Sequence, residues 1–139
     1  MPDADIRTIH RRIFEEGFNQ HNMDLVADLI SPDYVNYDLP APAPGREGFK
    51  QVMAMFFTAF PDMRVTLERA LVEGDAVASR GVITGTHQGP FQGIPPTGKQ
   101  VTVKYMDMWR FAGGQAVENW VQLDMLGLLQ QLGAIPQPE

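Results

Sequence analysis

No cysteine occurs among the 139 residues. Disulfides, thiol nucleophiles, thiolate zinc sites and iron–sulfur clusters are thereby excluded. Positive charge is also scarce. Eleven Lys and Arg stand against seventeen Asp and Glu, giving a net charge of −6, and the basic residues are scattered. A nucleic-acid groove or an anionic membrane surface needs them clustered, so neither partner is expected. No apolar run approaches the roughly 18 residues of a spanning helix. The start, Met1-Pro2-Asp3-Ala4-Asp5, lacks the charged-then-apolar order of a signal peptide, so a cytoplasmic location is expected. His10, His21 and His87 have no ligand-like spacing, and neither a phosphate loop nor a Gly-x-Ser-x-Gly elbow occurs. No metal and no cofactor are expected.

What is present reads as helices first and strands afterwards, in a single domain. Asp3 or Asp5 can cap a helix to about Gln20, with Ile6, Ile9, Ile13 and Phe14 at helical spacing. Asn22 caps a short helix from Met23 to Ile30, and Tyr34 to Asp38 is extended. Pro40 to Pro44 can only be a loop. A third helix runs from Gly45 to Phe60 with a wide apolar stripe, ended by Pro61. Arg64–Glu73 and Ala76–Gln88 read as strands, as do Lys99–Phe111 and Gln115–Asp124. The last two join at Gly113-Gly114, a strong hairpin signal. A short helix from Met125 to Leu132 closes the chain, with Gly133 just past its end. This order predicts an α+β fold with helices on one face of a curved antiparallel sheet.

A two-residue turn at Gly113-Gly114 places Trp109 opposite Glu118, Asp107 opposite Trp120, Tyr105 opposite Gln122 and Val103 opposite Asp124. That face mixes tryptophans and a tyrosine with three acids, the mixture a pocket wall requires. The other face carries Met106, Met108 and Val121, suited to pairing two copies of the chain. In the earlier hairpin a three-residue turn is preferred, because it sets Glu68 rather than Arg69 opposite Arg80. His87 then shares an inward row with Val77, Ser79, Gly81, Ile83 and Gly85.

The run from Gly85 to Lys99, Gly-Thr-His-Gln-Gly-Pro-Phe-Gln-Gly-Ile-Pro-Pro-Thr-Gly-Lys, resembles the signature loop of SnoaL-like polyketide cyclases. Arg110-Phe111, the Gly-Gly turn, Glu118, Trp120 and Asp124 are similar to that family's strand-turn-strand ending. Leu128-Leu129-Gln130-Gln131-Leu132-Gly133 resembles its closing helix. Asn19, Pro32-Asp33-Tyr34-Val35, Gly45-Arg46-Glu47-Gly48 and Phe60-Pro61-Asp62 also fit, so the likeness covers nearly the whole chain. One departure is Asn36, a position frequently histidine in relatives.

The resemblance implies a cone of the kind shared with nuclear transport factor 2 and ketosteroid isomerase, with the N-terminal helices on the concave face of the sheet. It implies ring closure of a polyketide by intramolecular aldol condensation without metal or cofactor, with the carboxylate at Asp124 as acid/base. His87 and Asn36 are the expected hydrogen-bond donors to the developing enolate. Asn36, Tyr105, Asp107, Trp120 and Gln122 are the expected substrate contacts. Each has a plainer alternative. Asp124 stands where a strand meets a helix and can serve as an N-cap. His87 can anchor the Pro-rich loop, and Trp120 can be core. The same fold could also bind a small apolar or polyketide-like ligand without chemistry, catalyse a related isomerisation or hydration, or act as an assembly module through a homodimer.

Overall fold

The computed structural model describes residues 3–136. Helix α1 (Asp3–Arg12) continues without interruption into a π-helical segment, Ile13–Asn19. The side chains of Asp3 and Asp5, read as candidate caps, lie outside the described residues. Gly17 explains the close fit of the next element. A Cβ there would stand 2.0 Å from Val26 Cγ2 of helix α2 (Met23–Leu29). Asn22 caps α2 as expected, its side chain accepting from Leu25 N at 3.2 Å.

Strand β1 (Ile30–Asn36) follows at once, then helix α3 (Gly45–Ala59). The remaining strands are β2 (Arg64–Glu73), β3 (Ala76–Thr86), β4 (Gln100–Ala112) and β5 (Gln115–Leu123), and helix α4 (Met125–Gln131) ends the fold. The architecture is α+β. Its sheet runs in the order β1-β5-β4-β3-β2. Four strands form the expected antiparallel meander, but β1 pairs parallel to β5, so the sheet is mixed. Pro32 is accommodated because β1 is an edge strand, where a missing N–H costs no ladder bond.

Two bulges set the faces. In the first hairpin the turn is two residues long, and Arg69 lies opposite Arg80. Glu68 is the extra residue, and it still reaches Arg80 Nη1 at 3.1 Å. The bulge thus offsets the like-charge pair that favoured a longer turn on paper.

The second bulge matters more. Ala112 pairs with Gln115 and Phe111 with Ala116, as a two-residue Gly-Gly turn requires. The next pair is Arg110 with Glu118, so Val117 is the extra residue. The register is therefore displaced by one from the expected pairing. Trp109 faces Asn119, Asp107 faces Val121 and Tyr105 faces Leu123. The displaced register brings Glu118 into an ion pair with Arg110, which also lies 3.5 Å from Asp75. The straight register would have put Val117 there instead.

Candidate functional site

Helices and sheet enclose a cavity of about 500 Å³, within the range of small-molecule sites. Its helical wall carries Phe14 and Phe18 from the π-helical segment and Phe49, Met53 and Phe56 from α3. Another wall is the Pro-rich strap from Leu39 to Pro44. The sheet supplies the polar groups: Tyr34 and Asn36 from β1, Tyr105 and Asp107 from β4, and Asn119 from β5. Among the described residues no Lys, Arg or His lines the cavity, and Asp107 is its only carboxylate.

Asp107 is held from two sides. The Ser79 hydroxyl donates to its Oδ1, and the Trp109 indole donates to its Oδ2 at 2.9 Å. Burial pushes its pKa up to about 6, against the pull of these two bonds. Beside it lies an amide and phenol network. Asn36 Nδ2 donates to Asn119 Oδ1 at 2.9 Å and to the Tyr34 oxygen at 3.3 Å. Tyr34 in turn donates to Asn119 Oδ1 at 3.3 Å. Asn119, nearly inaccessible to solvent, spends its own Nδ2 on Met108 O at 3.1 Å. Burial raises the Tyr34 phenol, and the Asp107 charge adds to that. Burial raises Tyr105 likewise.

The expected site residues separate into two groups. Asn36, Tyr105 and Asp107 line the cavity together. Trp120 and Gln122 do not, because the Val117 bulge turns them to the outer face. There Trp120 stacks on Tyr37 with ring centroids 5.0 Å apart. Val121, read as outward, lines the cavity instead, while Met106 and Met108 are exposed on the outer face. Asp124 is exposed and caps α4, accepting from Gly127 N at 2.9 Å. His87 is fully buried, away from the cavity lining. Thr97 N donates to its Nδ1 at 3.2 Å, and its backbone bonds Lys99 O and Gly98 N, which pins the Pro-rich loop. The plainer alternatives describe how Asp124 and His87 are placed.

Asn119, Tyr34 and Ser79 are polar groups of the site that the sequence reading did not single out. A register without the Val117 bulge would turn Asn119 outward. Ser79 was placed on the inward row with no role. Among the described residues no cluster of three or more His, Cys, Asp or Glu is grouped to hold a metal ion. None of the described helices is long and apolar enough to cross a membrane.

The family model for SnoaL-like polyketide cyclase matches residues 8–132. Nogalonic acid methyl ester cyclase of Streptomyces nogalater is 29% identical over 124 residues, covering 84% of this chain and 90% of the relative. Aklanonic acid methyl ester cyclase of Streptomyces galilaeus is 30% identical over 128 residues, covering 89% and 88%. The structure of TsrD from Streptomyces laurentii superposes with a TM-score of 0.89 at 25% identity, covering 97% of this chain and 99% of that one.

Proposed function

We propose that this chain, which belongs to the SnoaL-like polyketide cyclase family, closes a carbon ring by intramolecular aldol condensation with Asp107 as the acid/base. The observation that carries this reading is the isolated cavity carboxylate. Asp107 is the only acid lining the pocket among the described residues, and burial brings its pKa to about 6. A carboxyl poised near neutrality can both take and return a proton.

In the first half of the reaction the Asp107 carboxylate removes a proton from the carbon next to a carbonyl. The electron pair remains as the enolate. The enolate carbon then attacks a ketone in the same molecule, forming the ring bond and an alkoxide. The proton on Asp107 passes to that alkoxide and restores the carboxylate. The Tyr34 hydroxyl, committed to Asn119 only at 3.3 Å, and the Tyr105 hydroxyl, which makes no hydrogen bond, are the cavity donors able to turn toward an enolate oxygen. The aromatic walls supply the folding of the substrate into a reactive conformer.

The cavity also favours a neutral substrate, because among the described residues no cation lines it to balance a ligand carboxylate. Both cyclases named above are named for methyl esters, whose carboxyl group carries no charge. The test is turnover of nogalonic acid methyl ester and aklanonic acid methyl ester by the wild type and by Asp107→Asn. The variant should lose about 10²–10⁴-fold in kcat while still binding the ester. Full turnover in Asp107→Asn removes Asp107 from the mechanism. Binding of both esters by the wild type without turnover of either would instead mark a ligand carrier.

A further inference from the structure

We propose that Ser79 and Trp109 are positioning residues that make the two oxygens of Asp107 unequal, with Ser79 following the proton as it comes and goes. The inference rests on Asp107 being the acid/base, as argued above.

Ser79 lies directly opposite Asp107 in the β3–β4 ladder, and its hydroxyl donates to Oδ1. Trp109 is two residues along β4 and therefore on the same face, and its indole donates to Oδ2. Both side chains are buried, at 5% and 2% exposure, so bulk water does not replace either bond. The indole is itself fixed. Phe14 meets its ring edge-on at a centroid distance of 6.1 Å, and His10 from α1 does so at 6.3 Å. Tyr34 packs beside it, tilted by 32°, at 6.2 Å.

The two partners differ in what they can do. An indole N–H only donates, whereas a hydroxyl donates or accepts. A proton on Oδ2 would leave the indole facing a hydroxyl oxygen, the poorer acceptor. A proton on Oδ1 leaves Oδ2 as the carbonyl oxygen and lets Oδ1–H point to Ser79 Oγ. The Ser79 hydroxyl hydrogen must then turn elsewhere. Tyr105 lies opposite Gly81, the next inward residue after Ser79, and its buried hydroxyl makes no hydrogen bond of its own. It is the acceptor available to that hydrogen. The bond broken is the substrate C–H and the bond formed is Oδ1–H, and the same proton later leaves Oδ1 for the alkoxide. The titratable groups facing Asp107 are the phenols of Tyr34 from β1 and Tyr105 from β4, both kept protonated by burial.

Carbon-detected NMR titration of Asp107 in the ligand-free protein tests this, using wild type, Ser79→Ala, Ser79→Thr and Trp109→Phe. The indole serves the anion best, so Trp109→Phe should lower the acid dissociation constant about tenfold. Ser79 serves both forms, so Ser79→Ala should lower it by less, about threefold, and Ser79→Thr should restore it. With a methyl ester substrate, Ser79→Ala should lower kcat with KM within about twofold, and Ser79→Thr should recover it. A Ser79→Ala shift as large as that of Trp109→Phe would reduce Ser79 to a simple donor and overturn the two-way role. Titration curves unchanged in both variants would overturn the positioning altogether. Should Trp109→Phe fail to fold, failure of Ser79→Thr to recover kcat is overturning by itself. The titrations need no substrate, so they stand apart from the turnover of Asp107→Asn that decides the acid/base assignment.

Discussion

The Asn36 amide bonds the Asn119 amide at 2.9 Å across a sequence separation of 83, and its orientation is dictated by the backbone that leads into the strap. Asn36 Oδ1 accepts from Asp38 N and Leu39 N, both at 2.8 Å, so its nitrogen must be the group that faces Asn119. One side chain therefore joins the polar floor of the cavity to the strap that walls it.

Asn36→Asp keeps the one oxygen that accepts from both strap N–H groups but sets its second carboxylate oxygen against Asn119 Oδ1. Amide hydrogen exchange at Asp38 and Leu39 should stay slow in this variant and accelerate in Asn36→Ala. Ester affinity, measured by calorimetry, should fall in both. The expected loss is about 1–3 kcal/mol, that of a buried polar partner left unpaired.

Stability should carry two opposed pH dependences. Asp107 has a folded pKa of about 6, above the ordinary 3.8. The native state therefore binds more protons than the unfolded one in that window, and stability falls as pH rises from about 4 to 6. His10 is buried and pushed down to about 4 from 6.5, so its contribution is present above 6.5 and lost as pH falls toward 4. Each is worth at most about 3 kcal/mol. Asp107→Asn should remove the first and leave stability rising with pH between 4 and 6.5, as urea denaturation at stepped pH would show. A profile unchanged by the substitution would contradict the burial of the Asp107 charge.

Asp124→Ala should cost about 1 kcal/mol through the lost α4 cap and leave kcat within a few-fold of wild type. Trp120→Ala should leave KM for a methyl ester unchanged, since the ring covers Tyr37 on the outer face. Parallel thermal melts and steady-state kinetics separate these effects from those of Asp107→Asn.

A neutral aromatic ester should bind at least about tenfold more tightly than its free acid at pH 7, because the acid would bury a charge without a partner. The gap should narrow below pH 6 as both carboxyls take up protons. Calorimetry at two pH values checks this.

The element order, the Gly-Gly turn, the Asn22 cap and the inward row of β3 follow from periodicity and turn chemistry, and the sequence reading matched them. The parallel pairing of β1 did not, because Ser31-Pro32-Asp33 breaks the alternation that marks a strand. The facing of β5 was misread for a sharper reason. Alternation reports which residues share a face only while the count is unbroken, and Val117 breaks it. A signal was available in Asn119, Val121 and Leu123, which alternate with the more polar or amphipathic Glu118, Trp120 and Gln122. The two tryptophans argued the other way, since burying Trp120 looked more favourable than leaving it to stack on Tyr37.

The bulge at Val117 gives this hairpin two interior surfaces held in one stretch of chain. Drawing Val117 into the ladder opposite Arg110 would rotate Glu118, Trp120 and Gln122 into the cavity and carry Asn119, Val121 and Leu123 out of it. Point substitution alters such a pocket one side chain at a time. A one-residue slip of register beside the turn would exchange its whole β5 wall at once, so in this fold a change of ligand can come from a change of pairing.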